Sequence, residues 1–79
     1  MINMGIVVYT TENCRQCKMT KRFLDSSKIE YDTVDLSTDQ DARQMLKDAG
    51  YSSAPVTVVD GDLDNAIVGF AVSKFRTLT

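Results

Sequence analysis

Gly5-Ile6-Val7-Val8-Tyr9-Thr10-Thr11-Glu12-Asn13-Cys14-Arg15-Gln16-Cys17 decides how the rest of the chain is read. The opening residues, Gly5 to Tyr9, form a short β-branched run. A continuous apolar run of this kind suits a strand covered on both faces, as in a parallel sheet. Thr10 to Asn13 is a polar turn built of helix-capping residue types, with Asn13 as the expected N-cap. From Cys14 to about Ser27 the pattern turns helical, with Thr20, Phe23, Leu24 and Ser27 at i, i+3, i+4 and i+7. Both cysteines therefore fall on the first turn of a helix that follows a buried strand.

That placement carries chemistry. Reversible disulfide exchange needs one exposed thiolate of low pKa and a second thiol close behind it to resolve the mixed disulfide. A helix N-terminus offers unpaired N–H groups and a partial positive charge, which stabilise an anion. Free cysteine ionises near pH ~8.5, and such a setting lowers this to about 3.5–7.5. Cys14 is the expected nucleophile and Cys17, one turn deeper, the resolving thiol. Between residues 15 and 28 stand Arg15, Lys18, Lys21, Arg22 and Lys28 against the single acid Asp25, a local charge of +4. These cations read either as a solvated helix face or as positive potential that favours a thiolate. A CxxC after a strand and at a helix start reads as a redox motif. The other reading is a metal or iron–sulfur site. With no His and no third Cys in the chain, such a site has to be shared between two chains. A purely structural disulfide makes poor sense, because closing so short a loop constrains little of the unfolded chain.

The chain has 79 residues, so residues 1–79 are expected to form a single domain. A domain of this size buries only about 60% of its unfolded surface, which leaves a thin core. Apolar residues are 43% and charged residues 25%, both ordinary for a globular protein. No apolar run approaches the ~20 residues of a membrane span. The N-terminus has neither the basic nor the long apolar segment of a signal peptide, so the expected location is cytoplasmic. The net charge of −2 argues against a nucleic-acid or anionic-membrane partner.

Outward from the cysteines, Ile29 to Leu36 reads as a second strand with Ile29, Tyr31 and Thr33 on one face. Ser37 opens a second helix as a capping box with Gln40. Ala42, Met45, Leu46 and Ala49 keep helical spacing, and Gly50 stops it. Pro55 stands at the start of a third strand, Val56 to Val59, a position that tolerates proline. Asp60-Gly61 signals a turn, and Ala66 to Val68 is a short fourth strand that makes a hairpin with the third. Phe70 to Leu78 is read as a last helix with Val72, Phe75 and Leu78 inward. The order is β-α-β-α-β-β-α, a mixed four-stranded sheet flanked by three helices. Tyr9, Tyr31 and Tyr51 read as half-buried rings with wet hydroxyls, and Met19 and Met45 as packing.

Tyr9-Thr-Thr-Glu-Asn-Cys14-Arg-Gln-Cys17, Ala54-Pro55-Val56 and Gly69-Phe70 resemble a glutaredoxin-type member of the thioredoxin superfamily, and within it the NrdH-redoxins. Gln16 and Gly69-Phe70 are shared with that branch. The resemblance runs from about residue 5 to residue 78. It implies a thioredoxin-like α/β fold and a monomeric thiol–disulfide oxidoreductase with no bound cofactor. It implies Cys14 as nucleophile, Cys17 as resolver and a cis Pro55. Ala54 would offer backbone groups to the incoming chain, Gly69 would admit it closely, and Arg15, Gln16 and Phe70 would border it. Electrons would come from NADPH through thioredoxin reductase and pass to ribonucleotide reductase. Glutathione is the alternative reductant. Glutathione-using members typically carry Lys at the position of Thr11, Pro-Tyr at Arg15-Gln16, and an acidic pair where Phe70-Ala71 stand. The longer NrdH signature is matched only at Gly69-Phe70, and Ser52-Ser53 replace its Arg-Gln pair. Read without the resemblance, Pro55 is an ordinary strand-start proline and Gly69 a strand terminator.

Overall fold

Ile6–Thr10 forms β1, in which buried Ile6, Val8 and Thr10 alternate with half-buried Val7 and Tyr9. Both faces of this strand are covered. The structure is a computed structural model and describes residues 5–12 and 14–76. After β1 come α1 (Arg15–Ser26), β2 (Asp32–Asp35), α2 (Gln40–Asp48), β3 (Val56–Val59), a 3-10 turn (Leu63–Asn65), β4 (Ile67–Val68) and α3 (Val72–Phe75). The strands lie in the order β2-β1-β3-β4. β1 runs parallel to β2 and antiparallel to β3, and β3 runs antiparallel to β4.

Register assigns the two faces. Tyr9 pairs with Val56 and Val7 with Val58, so these four share one side. There Leu36, Leu46, Val56 and Val58 form a buried cluster against which Tyr9, Ala42 and Tyr51 pack, which places α2 on that side. Val8 pairs with Thr57, and Thr57 with Ile67, on the opposite side. Val8 and Thr57 are fully buried, covered by the inward residues Cys17, Thr20 and Leu24 of α1 and Phe75 of α3. Phe23, Phe70 and Phe75 close this layer, with ring centroids 5.8 to 6.3 Å apart.

Most departures from the sequence reading lie at element ends. The residue that caps α1 is Cys14, whose side chain accepts the Cys17 N–H. Asn13, the expected cap, lies outside the described residues. The second strand is shorter than 29–36. α1 ends in a Schellman turn: Lys28 N–H donates to Asp25 O, and Ile29 N–H to Leu24 O. Lys28 takes the left-handed conformation (φ +58°) that glycine usually fills, and Ile29 belongs to this turn rather than to a strand. α2 closes in the same way around Gly50 (φ +94°).

The start of α2 also differs. Asp35 takes the Ser37 N–H with its side chain and the Thr38 and Asp39 N–H groups with its carbonyl. This holds residues 36–38 as a turn, and Asp39 caps the helix by accepting the Ala42 N–H at 3.0 Å. Asp39→Ala is expected to lower stability by about 1 kcal/mol, read as a shift of the urea midpoint, whereas Ser37→Ala should leave the helix cap intact. The final helix begins at Val72 rather than Phe70. Gly69 (φ +75°) and Ala71 both have non-helical backbones, which delays the helix until there. Leu78 lies outside the described residues.

Two aromatic readings need adjustment. The Tyr51 hydroxyl is not wet: it donates to Leu63 O and ties the end of α2 to the 3-10 turn. The Tyr31 hydroxyl donates to Lys21 O at 3.4 Å. Partial burial, then the hydrogen bond and charge of Asp25, raise its pKa above 10.0. An acid whose folded pKa is raised makes stability fall once pH passes its unfolded pKa. Tyr31→Phe is therefore expected to flatten the loss of stability above pH ~10, measured by denaturation at successive pH values. Met19 and Met45 are 43% and 38% exposed, so neither is a core packing residue.

Candidate functional site

β1 delivers the chain to the start of α1, where a single disulfide joins Cys14 and Cys17, with their Cα atoms 5.2 Å apart. Spacing of i and i+3 on a first helical turn makes this possible without distorting the helix. The two sulfurs are not equivalent. Cys14 is partly exposed, whereas Cys17 is 2% exposed and faces the sheet. Cys14 Sγ accepts the Cys17 N–H at 3.1 Å. The first turn of α1 holds no acid.

Two distant segments fix the surroundings. Ser37, on the loop after β2, accepts the Glu12 N–H through its hydroxyl at 3.1 Å and so holds the loop that leads into Cys14. The hydroxyl does not cap α2, the role that its spacing to Gln40 suggests. Nothing local points to its actual partner, which lies 25 positions away. On the other flank, Ala54–Pro55 is a cis peptide. Pro55 is buried and Ala54 half-buried. The Pro55 carbonyl accepts the Gly69 N–H at 2.8 Å. Gly69 in turn lies against α1: a Cβ added there would sit 3.2 Å from Gln16 Oε1. Its positive φ and this approach both suit glycine.

Gln16, Pro55 and Gly69 are thus brought together beside the disulfide. Arg15 projects from α1 as an exposed residue. Phe70 follows Gly69, but its ring packs on Phe23 and Phe75 and is half-buried. A cleft of about 510 Å³ adjoins Ala54 and is lined by Thr11, Ser37, Arg43, Lys47, Ser52 and Ser53 among others. Among the described residues no group of three or more His, Cys, Asp or Glu is arranged to hold a metal ion. No described helix is long and apolar enough to cross a membrane.

A partly exposed sulfur at a helix start, bonded to a buried one a turn deeper, on a mixed sheet with helices on both faces, defines a thiol–disulfide oxidoreductase of thioredoxin-like fold. The glutaredoxin family model matches residues 6–63. The chain is 32% identical over 73 residues to the glutaredoxin-like protein NrdH of Lactococcus lactis, covering 92% of this chain and 97% of that one. It is 41% identical over 74 residues to the Gene 56 protein of Mycobacterium phage D29, covering 92% of this chain and 80% of that protein. The solved NrdH-redoxin from Escherichia coli superposes with a TM-score of 0.88 at 26% identity over 96% of each chain. This chain belongs to the glutaredoxin family, as an NrdH-type glutaredoxin-like redox protein.

Proposed function

We propose that this protein is a dithiol electron donor, reduced by a thioredoxin-reductase-type enzyme at the expense of NADPH, which passes its electrons to a protein disulfide, with ribonucleotide reductase as the target. The carrying observation is the asymmetry of the pair. Cys14 is accessible and hydrogen-bonded to the helix start, while Cys17 is buried beside it. In the forward step the Cys14 thiolate attacks one sulfur of the target disulfide. The S–S bond breaks, and the leaving thiolate takes a proton. Cys17 then gives up its proton and attacks Cys14 Sγ, releasing the second target thiol. Two electrons pass to the target and the Cys14–Cys17 disulfide re-forms. The reductase reverses this on its own dithiol.

The surroundings favour a reductase over glutathione as the electron source. Thr11 brings no cation to the loop before Cys14, and Phe70, where an acid would stand, is committed to the aromatic layer. The Escherichia coli relative is itself described as having a thioredoxin-like activity profile. The test is a coupled assay that follows NADPH oxidation with ribonucleotide reductase as acceptor. One arm supplies thioredoxin reductase, the other glutathione with glutathione reductase. Turnover is expected in the first arm. Robust turnover only in the second would overturn the proposal in favour of a glutathione-dependent glutaredoxin.

A further inference from the structure

The exposed face of α1 is not spent on the core or on the exchange chemistry. Arg15, Lys18, Met19 and Arg22 recur at i, i+3, i+4 and i+7, and all four are exposed. They form a stripe about 10 Å long that starts at the residue after Cys14. Met19, 43% exposed, is an apolar spot among three cations. Among the described residues none of these cations has an ion-pair partner. Their helix holds one acid, Asp25, which faces Tyr31. The stripe also runs against the character of the molecule: outside residues 15–28 the chain carries −6. General solubility therefore does not account for cations gathered beside the disulfide.

We propose that this face of α1 is a docking surface for an acidic segment of the disulfide-bearing partner, with Arg15, Lys18 and Arg22 pairing its carboxylates and Met19 seating an apolar side chain. The inference rests on the oxidoreductase reading above and names the partner's chemistry. A partner so held presents its disulfide where Cys14 Sγ is accessible. Charge complementarity of this kind acts mainly on the encounter rate and is screened by salt.

The test uses the reduced protein and three synthetic disulfide-loop peptides that differ only in flanks of Glu, Gln or Lys. Rates of peptide reduction are followed in single turnover. At ionic strength near 0.01 M, where the Debye length is about 30 Å, the Glu-flanked peptide is expected to react about tenfold faster than the Lys-flanked one. Near 1 M salt, with a Debye length of about 3 Å, the ratio should fall below about twofold. The double variant Lys18→Glu/Arg22→Glu should invert the preference, a result that misfolding does not produce. Met19→Ala should raise the half-saturating concentration of a Glu-flanked peptide carrying Leu beside the loop about threefold, with the limiting single-turnover rate unchanged.

Equal rates for all three peptides, or a preference untouched by the double variant, would overturn the docking surface while leaving the oxidoreductase reading intact. Failure to reduce even the Gln-flanked peptide would instead sink the underlying reading. A salt-sensitive dimer with no preference among the peptides would give this face to a second copy of the chain and also overturn the proposal.

Discussion

Cys14→Ser is expected to abolish disulfide reduction completely, whereas Cys17→Ser is expected to accumulate a covalent adduct with the target. The reasoning follows from where the sulfurs sit. Cys14 is the accessible one and receives a helix N–H at 3.1 Å, so the proposed route has it meet the partner. A hydroxyl in its place forms no bond to sulfur, and the cysteine that remains, Cys17, is buried. Cys17 is 2% exposed, which shields it from a protein disulfide, and it lies one turn from Cys14, where the proposed route has it resolve the mixed disulfide. Without it the first exchange still occurs and the second does not. Mass spectrometry under non-reducing conditions reads the adduct. If Cys17→Ser turned over normally with glutathione, the monothiol route would be the working one and the roles assigned to the pair would need revision.

Phe75→Ala is the second large effect, a loss of about 3–5 kcal/mol of stability. Phe75 is fully buried and touches Phe23 at 5.8 Å and Phe70 at 6.0 Å between ring centroids. α3 is only four residues long and has no side-chain cap, so this ring is what seats it. A chain of 79 residues has on the order of 4–12 kcal/mol to lose, so the variant stands near the edge of folding. Phe75→Leu fills much of the same volume and should recover most of the difference. Both are read as midpoints of urea unfolding. An unchanged midpoint for Phe75→Ala would show that the aromatic layer does not seat α3. The same ring supports Phe70, which follows Gly69 beside Gln16. Activity of Phe75→Ala is therefore expected to fall along with its stability, and that of Phe75→Leu to stay closer to the parent.

Helix starts were the least legible part of the fold. At both α1 and α2 a suitable capping residue stands one or two positions before the one that caps. Asn13, Ser37 and Asp39 are all good cap types, and propensity alone does not rank them. At α2 the choice is made by Asp35, which captures the Ser37 N–H and delays the helix by two residues. At α1 the cap is a cysteine, a residue that capping statistics do not favour, placed there because its sulfur accepts the Cys17 N–H. The end of α1 hid for a related reason: Lys28 adopts a glycine-like conformation that its identity does not announce.

From residue order alone came the chemistry and the scaffold: a CxxC at a strand-to-helix junction, the β-α-β-α-β-β-α order, and the inward Thr20 and Leu24 of α1 and Leu46 of α2, although Met45 and Ala49, at the same helical spacing, are exposed. These depend on backbone period and on neighbours within a few positions, which a linear reading carries in full. Tertiary structure alone decided what converges around the sulfurs. Gly69 approaches Gln16 across more than fifty positions of chain, Ser37 reaches back to Glu12, and Phe70 turns into the aromatic layer rather than toward a partner. Such contacts are set by which strands pair and how helices pack across the sheet, and no local pattern encodes them.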